Sequence, residues 1–268
     1  MIEAYSLYSG SSGNAYLIRH GETTILVDAG RSSAALCRAM KAVGCEPDDV
    51  SAVLITHEHS DHVSALRVFN KKHCVPIIGA TPVLRAVCEN EGMCNCARSL
   101  SEGREFYIGD MAICGCLTPH DSSTNMCYRF RTKSGNSLVI ATDMGEVTET
   151  CAEFLAGATC AVIESNHDPD MLRYGPYPAQ LKSRISSRYG HLSNKQCGDL
   201  AVHLARSGTS GFVLAHLSRE NNTPAVALDT VTGFLADAGY ETLPVVCAGE
   251  DHVVKITVDN RQCSISAL

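Results

Sequence analysis

"SAVLITHEHSDH", residues 51–62, runs from a short apolar segment straight into three histidines, a glutamate and an aspartate. Residues 51–56 read as a buried strand. Ser60 and Asp61 carry the signal of a helix start, and that helix is expected to run to about Lys72. A strand–helix junction holding His57, His59, Asp61 and His62 crowds four ligand-type side chains together. A bound metal ion is the simplest reason for such crowding.

Working outward, the start of the chain reads as strands, "EAYSLYS", "NAYLIRH" and "TTILVDA", separated by Gly-rich turns. A helical pattern follows over 32–44, with Leu36, Met40 and Val43 on one face and Gly44 at its end. "VPIIGA" is another strand, and "TPVLRAVCENEG" opens a helix with a Thr cap and a proline at the first helical position. The middle holds the short strands "REFYIGD", "MAICGCLT", "CYRFRT" and "SLVIATDM". The last hundred residues alternate the strands "CAVIES", "GFVLAHL", "TLPVVC" and "HVVKITV" with helices expected over 148–156, 178–189, 193–206 and 224–238. Helices between strands in both halves point to an α/β fold, a four-layer αββα sandwich, with residues 1–268 forming one domain.

Further ligand types stand where strands stop. His120 follows "AICGCLTP", Asp143 follows "SLVIAT", and His216 follows "FVLA". Loops at strand ends are where a rigid scaffold converges distant residues. Taken singly, each of these has an ordinary reading as a strand-end histidine or a turn-capping aspartate. Together with 57–62 they give seven nitrogen and oxygen ligands, enough for two divalent ions sharing a bridging carboxylate. An all-N/O set suits zinc, manganese or iron and argues against a structural zinc with thiolate ligands.

Composition narrows the function classes. The chain has 268 residues, 45% of them hydrophobic, 19% charged, with a net charge of −7. That charge weighs against a broad, non-specific nucleic-acid surface, and the lack of Trp with only 6% aromatics weighs slightly against single-strand stacking platforms. No apolar stretch approaches the roughly 18 residues that span a bilayer, and "MIEAYSLYSG" has no signal-peptide pattern, so no membrane partner and a cytoplasmic location are expected. The fourteen cysteines fall mostly in apolar runs and read as reduced, buried thiols. An accessory metal site at Cys88, Cys94 and Cys96 is the alternative, although its spacing is not that of a zinc knuckle.

"THEHSDH", and then "PHD", "ATDMG" and "LAHLS" in the same order, resemble the successive motifs of the metallo-β-lactamase superfamily over nearly the whole chain. "GSSGNAYLI", "ESNHD" and "GHLSN" resemble its YycJ/WalJ subgroup, which is associated with DNA exonuclease activity. The resemblance implies that His57, His59 and His120 hold one metal and Asp61, His62 and His216 the second, with Asp143 bridging. Flavodiiron oxidoreductases carry Glu where this chain has His59, and zinc β-lactamases lack a bridging aspartate like Asp143. Glyoxalase-type thiolester hydrolases share all seven ligands.

Two divalent ions set against Asp61, Asp143 and a hydroxide leave an excess of about one positive charge, which favours an anionic phosphodiester. The reaction this implies is attack of a metal-bridged hydroxide on phosphorus, with a DNA end as substrate. Asp61, Asp143 and His191 are the catalytic candidates, and His191 would protonate the leaving oxygen. Asn166, Ser193, Arg219, Ser12 and Asn14 are the substrate-binding candidates, with amides at the helix start near Ser193 available to phosphate. His167 or Asp168 would orient a ligand, or simply end a strand in a polar turn. Lys182, Arg184 and Arg188 form a basic stretch that either tracks a nucleic-acid backbone or is a solvated face. The alternatives are a small-molecule hydrolase acting on a cyclic phosphodiester or a thiolester, and a non-enzymatic metal-binding regulator. Metal identity, cleavage polarity and oligomeric state stay open.

Overall fold

The computed structural model describes residues 1–91 and 96–268, residues 89–91 by their backbone alone. Cys94 therefore lies outside the described residues. The chain first lays down β1 (Ile2–Tyr8), β2 (Ala15–His20), β3 (Thr23–Val27), β4 (Ala52–Leu54), β5 (Ile77–Gly79) and β6 (Ala97–Ser99). It then builds a second sheet from β7 (Phe106–Ile108), β8 (Met111–Thr118), β9 (Asn125–Arg131), β10 (Ser137–Ala141), β11 (Cys160–Glu164), β12 (Phe212–Ala215) and β13 (Val245–Cys247). The closing hairpin, β14 (Val254–Asp259) and β15 (Gln262–Ala267), returns to the first sheet. The two sheet orders are β15-β14-β1-β2-β3-β4-β5-β6 and β13-β12-β11-β10-β9-β8-β7.

Helices cover the outer faces. α1 (Ser33–Ala42), α2 (Ser60–Val63), α3 (Leu66–His73) and α4 (Thr81–Glu91) belong to the first half. α5 (Glu149–Leu155), α6 (Pro169–Tyr174), α7 (Ala179–Ile185), α8 (Asn194–Arg206) and α9 (Pro224–Asp237) belong to the second. The layering is written in the alternation of side chains. Leu138, Ile140, Cys160, Val162, Val213 and Ala215 face the core shared with the first sheet. Val139, Ala141, Ala161, Ile163, Phe212 and Leu214 face the other way, against Leu155, Leu200, Leu204, Val231 and Leu235 of α5, α8 and α9. Strands buried on both faces must be apolar throughout, which is why "SLVIA" and "CAVIE" show no polar alternation. The expected αββα sandwich is the observed fold.

Topology also decides where the site forms. β10, β11 and β12 are parallel, in a register that sets Ala141 beside Ile163 and Glu164 beside Ala215. β8 runs the same way, because it and β10 are both antiparallel to β9. The segments that leave these four strands therefore emerge at one end of the sheet.

Several elements differ from expectation. The helix from Ser60 breaks into α2 and α3, because the Asp61 and His62 carbonyls accept the Asn14 and Ala29 amides in place of intrahelical donors. α7 stops at Ile185, four residues early: His191 N–H donates to Ile185 O, and Gly190 folds so close that a Cβ there would lie 2.1 Å from that oxygen. α6, which was not expected, follows the polar segment at 165–168, with Asp168 accepting the Asp170 and Met171 amides as its cap. β15 was not expected at all. Cys45, Cys116, Cys127, Cys151, Cys160, Cys197 and Cys247 are buried free thiols, Cys88 is buried as well, and Cys96 is half-buried. No helix of the described residues is long and apolar enough to cross a membrane.

Candidate metal centre

Seven side chains from distant parts of the chain meet at that end of the sandwich. The ligating atoms of His57, His59 and His120 lie within 4.8 Å of one another, and so do those of Asp61, His62 and His216. Asp143 belongs with His57 and His62 in one such group and with His216, His191 and Glu164 in another, so it lies between the two triads. Its Oδ2 is 3.3 Å from His62 Nε2, and Asp61 Oδ2 is 3.4 Å from that same nitrogen and 3.6 Å from His216 Nε2.

Unsatisfied atoms test whether the set fits a metal. His57 Nε2, His120 Nε2, His216 Nε2 and Asp143 Oδ2 are buried with no hydrogen-bond partner among the described residues. Each such atom costs about 1–3 kcal/mol, so four converging on one place make sense only around a ligand that satisfies them together. A divalent cation does this, and the donor chemistry suits one. Burial lowers the pKa of His57 and of His120, keeping both imidazoles neutral with a lone pair to give. Burial alone would do the same to His62, but Asp143 and Asp28 outweigh it and push that group up to about 10. His216 is raised too, by Asp143, Asp61 and Glu164 against its burial. The centre thus favours positive charge.

Two buried carboxylates outside the seven hold the imidazoles in place. Asp28 accepts the Thr56 amide (2.8 Å), the Thr56 hydroxyl (2.9 Å) and His62 Nδ1–H (2.7 Å). Glu164 accepts His191 Nδ1–H (2.7 Å), His216 Nδ1–H (2.9 Å) and the amides of Met144 and Leu192. Burial would raise its carboxyl, but the His191 and His216 imidazoles prevail and hold it below the usual carboxylate range. Fixing Nδ1 as the donor leaves Nε2 of each ring for the site. His120 Nδ1–H is fixed in the same manner by Gly190 O at 3.0 Å. Glu58, the fifth polar residue of the opening stretch, reaches the Ser123 amide and hydroxyl and so braces the loop after His120. Sequence reasoning missed Asp28 and Glu164. Their only signal was an acid closing an otherwise apolar strand.

Backbone geometry is unusual at the same places. Asp28, Asp143 and His216 hold φ values of 59°, 60° and 56°, in the left-handed region. Such residues cost on the order of 1–3 kcal/mol each and persist where the surroundings over-determine them. Gly30 is needed for a different reason: a Cβ there would lie 2.1 Å from Asp61 O and 2.4 Å from the Asn14 amide.

A cavity of about 190 Å³ opens beside the metal cluster, lined by Ser11, Asn166, Tyr177, Arg184, His191 and His216 among others. Asn166 and His191 thus line the cavity, and Asn166 also braces His216 by donating to its carbonyl at 2.9 Å. The remaining candidates are otherwise engaged. Asn14 is fully buried, donating to Gly10 O and Asp61 Oδ2 with its amide nitrogen 3.0 Å from His62 Nε2, so it supports the cluster from behind. Ser12 accepts from Arg31, and it is Ser11 that lines the cavity. Arg219 is held in a bidentate pair by Glu250, and its neighbour Ser218 lines the cavity instead. Ser193 caps α8 in a capping box with Gln196. The amides of Asn194, Gln196 and Cys197 are taken by His167 O, Ser193 Oγ and Ser193 O. Asp168 is used by the α6 cap, and the His167 backbone pairs with Ser193.

Comparison with known proteins agrees with this architecture. Residues 8–113 match the family model described as the metallo-beta-lactamase superfamily. The chain is 34% identical over 236 residues to the exodeoxyribonuclease WalJ of Streptococcus pneumoniae, covering 87% of each protein. It is also 34% identical to the exodeoxyribonuclease YycJ of Bacillus anthracis, over 87% of this chain and 89% of that one. Among solved structures, the metallo-β-lactamase fold protein YhfI of Bacillus subtilis superposes with a TM-score of 0.70 at 18% identity, over 95% of this chain and 98% of that one. The chain belongs to the metallo-β-lactamase superfamily and, within it, to the family of WalJ and YycJ.

Proposed function

We propose that this protein is a metal-dependent exodeoxyribonuclease that binds two divalent ions. His57, His59 and His120 would hold one, Asp61, His62 and His216 the other, and Asp143 would lie between them. The observation that carries the metal site is the group of four buried, unpartnered atoms, on His57, His120, His216 and Asp143, converging within it. The DNA substrate rests on kinship with two proteins named as exodeoxyribonucleases. Zinc and manganese suit the ligand set best, and iron is compatible.

The ions supply Lewis-acid activation of water and of the phosphoryl group. The chain's own residues do the rest. Asp61 and Asp143 contribute the carboxylates that set the charge of the centre. Glu164 accepts His191 Nδ1–H, which leaves His191 Nε2 as the nitrogen of that ring open to the cavity. From there it donates a proton to the leaving oxygen, and the Glu164 carboxylate stabilises the imidazolium beforehand. Asn166 fixes the His216 loop.

The test is incubation of metal-quantified protein with end-labelled DNA, single- and double-stranded, carrying 5′-phosphate or 5′-hydroxyl ends. A mononucleotide ladder that disappears in His59→Ala, together with metal loss, is the expected result. Absence of any cleavage by fully metallated protein would overturn the nuclease reading.

A further inference from the structure

Average composition argued against a nucleic-acid surface, yet charge and aromatics are unevenly spread. Residues 171–198 contain Arg173, Lys182, Arg184, Arg188 and Lys195, and no acid. The whole chain, by contrast, has 22 Lys and Arg against 29 Asp and Glu. Three of its nine tyrosines, Tyr174, Tyr177 and Tyr189, fall in this stretch too. Tyr174 is 76% and Tyr189 50% exposed, a large apolar area for a soluble surface to leave open. α7, at the centre of the segment, fully buries none of its side chains.

The segment also borders the metal cavity. Tyr177, Arg184, Gly190 and His191 line it. Lys182 Nζ donates to Arg173 O at 2.8 Å, tying the end of α6 to α7. His191 N–H donates to Ile185 O at 2.9 Å, tying α7 to the loop that carries Tyr189. Arg184 and Arg188 reach Asp121 and Glu146 through Nε, their side chains 60% and 61% exposed. Their η nitrogens donate no hydrogen bond among the described residues, which leaves them for an anion. Arg173 and Arg188 lie 5.4 and 5.2 Å from the ring centroids of Tyr174 and Tyr189. Cations interleaved with exposed rings are what a flexible polyanion with flat bases requires, and what a rigid duplex, whose bases are stacked inside, does not use.

We infer that the α6–α7 face, with the loop to Gly190, is a binding track for single-stranded DNA. Bases stack on Tyr174 and Tyr189, phosphates meet Arg173, Arg184 and Arg188, and the strand end enters the cavity past Tyr177. This deepens the nuclease reading and rests on it.

The test is binding of fluorescein-labelled, phosphorothioate-linked dT12 to the metal-loaded full chain, read by anisotropy. Because the chain has no Trp, intrinsic emission reports tyrosine alone, and base stacking should quench it. Tyr174→Ala and Tyr189→Ala should each weaken binding about 5- to 150-fold, the range for one lost stack. They should also lose part of the quench, at unchanged metal content and thermal midpoint, while Tyr→Phe at each position restores affinity. Arg173→Gln and Arg188→Gln should each flatten the log–log salt dependence by about 0.7. Alanine variants that bind within twofold of wild type, or a blunt duplex bound as tightly as dT12, overturn the track while leaving the nuclease reading intact. Turnover of bis(p-nitrophenyl) phosphate without any DNA binding or cleavage overturns both.

Discussion

Glu164→Gln is the substitution on which the organisation of this centre is most exposed to test. The carboxylate lies fully buried and accepts four donors: one oxygen takes the two imidazole N–H groups, the other the Met144 and Leu192 amides. Glutamine has the same shape but only one acceptor oxygen. Whichever way its amide turns, an NH₂ group faces two donors. If it faces the backbone amides, two buried N–H groups lose their partner, at about 1–3 kcal/mol each, or roughly 2–6 kcal/mol in total. For a protein of this size that corresponds to a midpoint lowered by roughly 4–11 °C. If it faces the imidazoles, both rings exchange tautomers. His216 then presents N–H in place of a lone pair, and His191 loses the carboxylate that stabilises its protonated form. Metal affinity should fall about 10- to 100-fold and turnover by about 10²–10⁴. Differential scanning calorimetry on metal-free protein, metal analysis, and single-turnover cleavage at saturating metal separate the two cases. A variant with midpoint, metal content and rate all near wild type would falsify the assignment of Glu164 as the group that orients both rings.

Other outcomes follow from the same geometry. His191→Ala should retain its full metal content and lose about 10²–10⁴ in rate, as for a general acid; metal analysis beside kinetics checks this, and an emptied centre contradicts it. Asp28→Asn replaces the acceptor of Thr56 and His62, and a competitive chelator titration should show metal affinity down about 10- to 100-fold. Arg219→Ala removes an ion pair whose cation is exposed, so chemical denaturation should report a stability near wild type, with DNA cleavage little changed. A large loss of cleavage would instead put Arg219 on the substrate.

Ligand types at strand ends were legible because four side chains within 57–62 have few other reasons to be neighbours, and because apolar strands mark where their loops begin. The supporting carboxylates were not. Asp28 and Glu164 each look like an ordinary polar residue ending a strand, and only the tertiary register shows that their carboxylates point at imidazoles from other strands. Ser11 and Ser218 line the cavity where Ser12 and Arg219 were expected to face it, since loop conformation and not residue type decides which of two neighbours faces a cavity. The break between α2 and α3 was hidden for a related reason: the carbonyls of Asp61 and His62 are claimed by amides some thirty to fifty residues earlier. Averaged charge and aromatic content hide distribution, because they dilute a basic, tyrosine-bearing stretch in an acidic chain.

The left-handed backbone at Asp28, Asp143 and His216 bears on how this protein can change. At each of the three, glycine would fit the local conformation better than the residue present, and at each the side chain is the reason the position matters. Tolerance maps scored for abundance and for catalysis should therefore disagree most sharply at Asp143, whose Oδ2 has no hydrogen-bond partner among the described residues to lose, whereas glycine at Asp28 would leave three buried donors unpaired. A lineage selected only for heat resistance would erode its metal centre from Asp143 first.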